Sequence, residues 1–206
     1  MALAERAMRI PRDLLAAIAR AESGRPVAVD RVAGPWPWTV NAEGHGLFFD
    51  TKAEAMEKAD ALLTAGVRNI DVGCVQINLA SHPDAFLDLE EAFDPLANAT
   101  YGAAYLKALF METGSWPEAV GRYHSPTRSR NSAYRDKVLD LWNRGRGRPV
   151  LITGDEQQAR RHPALGAAAG TARLPAVGVG APSPPAGIGA DAVDELRSRL
   201  EALAPR

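Results

Sequence analysis

Apolar residues recur with a helical period in the segment LLAAIARAESGR near the start of the chain. Leu15, Ile18 and Glu22 occupy positions i, i+3 and i+7, so they share one face of the predicted helix. Glu22 breaks the apolar pattern of that face, because a carboxylate follows isoleucine one step before Ser-Gly ends the helix. Two interpretations are open: a side chain that bends into solvent at a frayed helix end, or a glutamate that is buried for a chemical purpose.

Capping residues, prolines and glycines predict where the other elements begin and end. WTVNAEGHGLFFD, residues 38–50, places apolar and aromatic residues on both sides of a glycine-containing turn and predicts a β-hairpin. The first three predicted helices run from Pro11 to Gly24, from the Thr51–Glu54 capping box to Gly66, and from Asp94-Pro95 to Gly114. A fourth helix begins at the Ser115–Glu118 capping box and has Pro117 in its first turn. The last helix covers about 131–143, and its apolar stripe consists of Tyr134, Val138, Leu141 and Trp142. Residues 1–145 are therefore predicted to form one mainly α domain with a small β-hairpin.

The composition changes sharply after residue 145. Of the 28 residues from Pro163 to Ala190, 20 are alanine, proline or glycine, and this content predicts a disordered linker over 146–190. Residues 191–206 predict a short amphipathic helix with the apolar stripe Val193, Leu196, Leu200 and Leu203. A helix of this length is marginal alone, so the segment is a candidate for docking onto a partner.

Net charge and cysteine content narrow the function classes. The chain has 206 residues and a formal net charge of −1, so no large basic field indicates a nucleic-acid partner. No apolar run approaches the roughly 18 residues of a membrane span, and charges interrupt the N-terminal segment, so we expect no signal peptide there. Cys74 is the single cysteine, and His45, His82 and His162 lack ligand spacing, so we expect no disulfide, no metal and no cofactor.

Three short segments carry side chains suited to chemistry. They are a carboxylate and a hydroxyl at a helix end, a glycine followed by two amides in a buried-looking run, and aromatic residues at the end of a short helix. The candidate residues are Glu22 and Ser23 in ESG, Gln76 and Asn78 in DVGCVQIN, and Tyr123 and His124 in AVGRYHS, followed by Tyr134.

In order and content, ESG, GCVQIN and AVGRYHS with a later Tyr resemble the lytic transglycosylase (SLT) domain of bacterial cell-wall enzymes, which has a lysozyme-like α+β fold. The resemblance covers residues 10–143. That family usually shows Glu-Ser, Gly-Leu-Met-Gln-Ile and Ala-Tyr-Asn segments, so Cys74, Val75 and His124 are departures from it. The segments PWTVN, IDVGCVQIN and YHS are most similar to a subgroup often attached to secretion or flagellar systems.

The resemblance implies a reaction and a role for each candidate residue. Glu22 is expected to be the catalytic acid and base that cleaves the β-1,4 bond between N-acetylmuramic acid and N-acetylglucosamine with formation of a 1,6-anhydro ring. A glycosidic leaving group needs a carboxyl that is protonated near neutral pH, and burial and the negative end of a helix both raise the pKa of a glutamate. The residues expected to bind substrate are Ser23, Gln76, Asn78, Tyr123, His124 and Tyr134.

Partners and location follow from the same resemblance. Peptidoglycan strands are the expected substrate, and the periplasm is the expected place of action. A flagellar or secretion-system protein is a possible partner for residues 191–206, and the reaction would then open the wall locally for an envelope-spanning machine.

Other interpretations of these residues remain. Asp71 or Glu43 could be the second carboxylate of a hydrolytic muramidase, although turn and cap roles are favoured for both. A glycan-binding assembly adaptor that keeps the fold without catalysis is a further alternative. Trp36, Trp38 and Phe48 are available for stacking on sugars, or could equally form a hydrophobic plug under the hairpin.

Overall fold

The computed structural model describes residues 1–25 and 34–146. The predictions of a linker and of an amphipathic helix after residue 146 lie outside this part of the chain. The described elements are α1 (Ala2–Ala7), α2 (Leu14–Ser23), β1 (Thr39–Ala42), β2 (His45–Phe48), α3 (Lys52–Thr64), β3 (Ile70–Val72), β4 (Ile77–Asn78), α4 (Leu89–Ala92), α5 (Pro95–Thr113), α6 (Trp116–His124) and α7 (Arg128–Arg146). A mainly helical fold with one small antiparallel sheet confirms the predicted lysozyme-like α+β class.

Two helix starts and one helix end form as the sequence predicts. Thr51 and Glu54 make both hydrogen bonds of a capping box at the start of α3. The Asp94 carboxylate accepts hydrogen bonds from the first turn of α5, and Gly114 ends that helix at a φ of 66°. These three signals are local, because each acts on backbone groups within four residues.

The capping box predicted for α6 is wrong. Ser115 is the N-cap, but its side chain makes no capping hydrogen bond. Its backbone N–H lies 3.4 Å from the Thr113 hydroxyl oxygen and donates to it. In a capping box that N–H would donate to the Glu118 carboxylate, so the end of α5 takes the place of the second half of the box.

The start of α2 also differs from the prediction, because Pro11 precedes the helix and Leu14 begins it. Asp13 is the N-cap, yet its side chain makes no capping hydrogen bond. The cap comes from Glu5 in α1, whose buried carboxylate accepts hydrogen bonds at 2.9–3.2 Å from three N–H groups, those of Asp13, Leu15 and Ala16. The catalytic candidate Glu22 lies at the other end of this helix.

The sheet has the strand order β2-β1-β3-β4, and all its neighbours are antiparallel. The predicted hairpin is formed by β1 and β2, and Glu43 and Gly44 both take positive φ in its turn, as a two-residue hairpin loop requires. Alternation along the strands separates two faces. One face is apolar and packs on α3 and α4 through Val40, Ile70, Val72, Ala55, Ala59 and Phe93, and the other carries Thr39, Asn41, Asp71 and Asn78.

A second apolar cluster holds α2 against the long helices. Leu15 and Ile18 have no exposed surface and pack with Leu106 of α5 and Val138 of α7. Glu22 follows Leu15 and Ile18 on the same face of α2, so the packing that buries them carries the carboxylate into the protein. Residues of α7 then meet the end of α2.

Candidate active site

The turn between β3 and β4 is held from behind by Asn98 of α5. Gly73 has a φ of 82°, and a Cβ atom there would lie 2.2 Å from the Asn98 amide nitrogen. The Asn98 carbonyl oxygen accepts from the Val75 N–H at 3.0 Å and from the Cys74 thiol at 3.3 Å. Its amide nitrogen donates to the Val72 and Ala92 carbonyls, both at 3.1 Å. The turn that carries the motif glycine and glutamine therefore has a fixed shape.

Ser23 joins the end of α2 to this turn. Its hydroxyl lies 2.7 Å from the Cys74 carbonyl oxygen and 3.1 Å from that of Ala19, and it accepts a hydrogen bond from the Trp36 N–H at 3.1 Å. The residue has no exposed surface. The Ser23 hydroxyl thus contacts three protein groups and is closed to solvent.

Glu22 is 5% exposed, and its carboxyl lies at the C-terminal end of α2. Oε1 accepts a hydrogen bond from the Tyr134 hydroxyl at 2.6 Å, while the described residues provide no hydrogen bond to Oε2. Burial raises the pKa of Glu22 to about 7, and the negative charge of Asp71 adds to this rise. The Tyr134 hydrogen bond and the positive charge of Lys137 oppose it. Near neutral pH the carboxyl therefore holds its proton for a large part of the time.

Two residues of the YHS segment lie near Tyr134. The His124 ring stacks on the Tyr134 ring with centroids 4.4 Å apart and an angle of 8° between the planes. The Tyr123 hydroxyl donates to the Val75 carbonyl at 3.1 Å, on the fixed turn. His124 Nδ1 is buried without a partner among the described residues, and burial, followed by the charge of Lys137, lowers its pKa. Lys137 itself donates to the Ala21 carbonyl at 2.9 Å, beside Glu22.

Gln76 and Asn78 differ in how their amides are used. Gln76 has a φ of 50°, unusual for a residue other than glycine, and its Nε2 donates to the Gly73 carbonyl at 2.8 Å. Its Oε1 is buried without a partner among the described residues. The Asn78 amide donates to Asp71 and Asn69, both at 2.8 Å, and its oxygen accepts from two backbone N–H groups. The side-chain carbonyl oxygen of Gln76 can therefore still accept a hydrogen bond from a ligand, whereas both polar atoms of the Asn78 side chain are already hydrogen-bonded within the protein.

The two carboxylates considered for hydrolysis occupy different places. Glu43 lies in the hairpin turn and is exposed, as its predicted turn role requires. The turn or cap role expected for Asp71 is wrong, because Asp71 lies in strand β3 and is 5% exposed. Burial raises the pKa of Asp71 to about 6, and the hydrogen bond from Asn78 opposes this rise. The sequence pattern did not predict the strand around Asp71, because a three-residue strand is too short to show a period.

The aromatic residues before the hairpin have structural contacts. Trp36 donates from its ring N–H to the Phe49 carbonyl at 2.6 Å and lies edge-to-face with Trp38, with centroids 5.5 Å apart. Trp38 packs against the apolar face of the sheet, and the Arg25 guanidinium lies 4.9 Å from the Trp36 ring centroid. Both tryptophans and Phe48 stay partly exposed. These aromatic side chains therefore pack within the fold and still expose part of their surface to solvent.

Other chemistry finds little support in the described residues. Burial raises the pKa of the Cys74 thiol to about 11, so this thiol stays protonated and is a poor nucleophile. Within residues 1–25 and 34–146, no three acidic, cysteine or histidine side chains group as metal ligands. The same ranges contain no helix that is both long and apolar enough to cross a membrane.

A mainly helical domain with a small antiparallel sheet, and a buried glutamic acid at a helix end beside that sheet, defines the lysozyme-like class. The family model "Transglycosylase SLT domain" matches residues 1–138, and the chain belongs to this family. The family comprises lytic transglycosylases that act on peptidoglycan. No curated protein and no solved structure gives a significant match. These comparisons do not support the flagellar or secretion-system subgroup.

Proposed function

We propose that this protein is a peptidoglycan lytic transglycosylase in which Glu22 is the catalytic acid and base. It cleaves the β-1,4 bond between N-acetylmuramic acid and N-acetylglucosamine and leaves a 1,6-anhydro ring on the muramic acid. The observation that carries the proposal is the burial of Glu22, which raises its pKa to about 7. A carboxyl of that pKa can give a proton and take one back at neutral pH.

The geometry of Glu22 suits both proton transfers. Tyr134 holds Oε1, so Oε2 is the atom that carries the proton toward the glycosidic oxygen. As the bond from C1 to that oxygen breaks, the proton moves to the leaving oxygen. The 6-hydroxyl of the muramic acid then attacks C1, and its proton returns to Glu22. The substrate supplies the nucleophile, so neither a metal nor a cofactor takes part.

The remaining site residues take three roles in this proposal. Gln76 offers its unpartnered Oε1 to a hydroxyl or N–H group of the sugar, and Tyr123 borders the same fixed turn. Ser23 and His124 act as positioning residues, since one fixes the end of α2 and the other stacks on Tyr134. Asn78 acts on the substrate through Asp71, because its own amide is engaged by the protein.

Hydrolysis is the second candidate, and the buried position of Asp71 favours it. A hydrolytic muramidase needs a second carboxylate near the first, and the charge of Asp71 acts on Glu22. The two reactions differ in their products, since hydrolysis leaves a reducing muramic acid end. A non-catalytic adaptor is disfavoured, because binding alone does not need a carboxylate held in a costly buried place.

The place of action and the partner complete the proposal. Peptidoglycan lies in the periplasm, where the enzyme would make local openings for an envelope-spanning machine, and residues 191–206 would dock onto a flagellar or secretion-system protein of that machine. A linker of about 45 residues has a root-mean-square span of roughly 35 Å, enough to let the domain work near its anchor. Replacing Leu196 and Leu200 by Asp should abolish pull-down of the partner while cleavage of purified sacculi continues.

The first test is Glu22→Gln, which keeps the shape of the side chain and removes the transferable proton. Turnover of purified sacculi should fall by ~10²–10⁴-fold, the range typical of a general acid. Circular dichroism should show an unchanged fold. A Gln variant that digests sacculi at a rate near that of the wild type would remove Glu22 from the mechanism.

A further inference from the structure

The polar face of the sheet carries a row of three side chains opposite its apolar face. Asn41 of β1 pairs with Asp71 of β3, and Asp71 pairs with Asn78 of β4. Directly paired residues point to the same side of a sheet, so these three side chains lie next to one another. We call Asn41, Asp71 and Asn78 the polar row. Gly46 is paired with Asn41 on the other side and leaves the end of the row without a side chain.

The polar row is buried but not fully satisfied. Its members are 1–5% exposed. The Asn78 amide donates to Asp71 Oδ1 at 2.8 Å, whereas the described residues provide no hydrogen bond to Oδ2. Neither polar atom of the Asn41 amide has a partner among the described residues. A buried amide without a hydrogen bond costs about 1–3 kcal/mol of folding free energy. Buried polar groups without protein partners therefore indicate that the polar row can form hydrogen bonds with a bound ligand.

Asp71 of the polar row lies near the candidate catalytic glutamate. α3 and α4 cover the apolar side of the sheet, so they leave the polar row on the opposite side. The charge of Asp71 reaches Glu22 and makes loss of the Glu22 proton harder. The Ser23 hydroxyl, next to Glu22 in the chain, contacts the Cys74 carbonyl just beyond β3. Glu22 at the end of α2 and Asp71 on the sheet are therefore two buried carboxyls close enough for their charges to interact.

We propose that Asp71 is a second catalytic carboxylate of this transglycosylase, held by Asn78 and flanked by the free amide of Asn41. It stabilises the positive charge that develops on C1 of the muramic acid and forms no bond to the sugar. This role departs from a mechanism with Glu22 as the only catalytic carboxylate. The inference rests on the proposed function, because it assigns a further residue to the same reaction.

Cleavage of the glycosidic bond and closure of the anhydro ring need no co-reactant. The bond from C1 to the leaving oxygen breaks with its electron pair on oxygen, which receives the Glu22 proton. Asp71 remains ionised beside the cationic C1 throughout. The 6-hydroxyl oxygen then bonds to C1 and releases its proton to Glu22, so both carboxyls end in their starting states. Fixed charge placed where a transition state becomes cationic is worth about 10²–10³-fold in rate.

The pH profile gives a readout that a structural role would not move. Asp71, with its pKa of about 6, must be ionised and Glu22, with its pKa of about 7, must be protonated, so the wild-type rate has an acidic and an alkaline limb. The other titratable groups around them are Tyr123, Tyr134, His124 and Lys137. Both tyrosine pKa values are raised well above the usual 10, so neither phenol titrates in this range.

The deciding variant is Asp71→Asn in the full chain, assayed on purified sacculi beside the wild type. We expect kcat to fall about 100-fold with little change in KM and with anhydro ends still the product. The acidic limb should disappear, and the alkaline limb should move to lower pH because Glu22 loses a negative neighbour. Asp60→Asn, the same change at an exposed position of α3, is the matched control and should change neither limb.

A second variant keeps the test open if Asp71→Asn does not fold. Asn78→Ser removes the hydrogen bond that stabilises ionised Asp71, so the acidic limb should move to higher pH. An Asp71→Asn protein with wild-type kcat and both limbs in place would overturn the role of Asp71 alone. An unmoved acidic limb in Asn78→Ser would do the same. A wild-type protein that leaves sacculi intact would instead overturn the proposed function, and this inference with it.

Discussion

Replacing Glu22 by Gln should stabilise the protein, and the gain should grow with pH. The folded protein holds the Glu22 proton with a pKa of about 7, whereas the reference value for the free side chain is 4.5. The folded state binds this proton more tightly than the unfolded chain does. The free energy of unfolding therefore falls as pH rises from about 4.5 to about 7. Below this window both states are protonated and the cost is absent; above it the cost is complete.

The size of the effect follows from the two pKa values. The distance between 4.5 and about 7, at ~1.4 kcal/mol per pH unit, corresponds to about 3 kcal/mol of lost unfolding free energy at pH 8. Gln cannot ionise and still accepts the Tyr134 hydrogen bond through its carbonyl oxygen, so the variant escapes this cost. At roughly 2–4 °C per kcal/mol for a domain of this size, the gain in Tm is about 6–12 °C.

Thermal unfolding of wild type and Glu22→Gln at pH 4 and pH 8 measures this difference directly. The two proteins should melt together at pH 4 and separate at pH 8, with the variant the more stable. Glu57→Gln, the same change at an exposed position of α3, should follow the wild type at both pH values. A Gln variant that gains nothing at pH 8, or gains equally at pH 4, would refute the raised Glu22 pKa on which the mechanism depends.

Three further predictions test the surroundings of the site. Tyr134→Phe removes the 2.6 Å hydrogen bond that lowers the Glu22 pKa, so the alkaline limb of the pH–rate profile should rise by about one pH unit while kcat falls ~10-fold; a fall in that limb would contradict the assignment. Asn98→Ala leaves the 72–75 backbone without its partners and should cost about 3 kcal/mol in chemical denaturation, whereas a loss below about 1 kcal/mol would show that the turn holds itself. Truncation after residue 150 should leave cleavage of purified sacculi unchanged, because every candidate site residue precedes that point, and lost cleavage would mean that the tail serves the catalytic domain.

Local signals in the sequence were sufficient for much of the fold. The Thr51–Glu54 box, the Asp94 cap and the stop at Gly114 act within four residues of themselves, and no other contact within the described residues takes their place. The predicted start of α2 was wrong by three residues, because the cap of this helix comes from Glu5. The hydrogen bonds of Glu5 join residues that are eight to eleven positions apart in the chain. Sequence spacing carries no sign of such a contact.

The site shows the same division between local and distant information. Glu22 was found because it interrupts an apolar helical face, which is a pattern along a single element. Asn98 and Asn41 were missed, since each acts through a partner more than twenty positions away in the chain. Asp71 was seen but assigned a turn or cap role, because only the pairing of β1, β3 and β4 places it in a buried polar row.

The products of sacculus digestion distinguish transglycosylation by Glu22 from hydrolysis. Purified sacculi digested with the full chain, in buffer that contains a chelator, should release muropeptides whose muramic acid ends are 1,6-anhydro, as seen by mass spectrometry. Glu22→Gln should release almost none over the same time. Reducing muramic acid ends as the main product would contradict transglycosylation and identify the enzyme as a hydrolase.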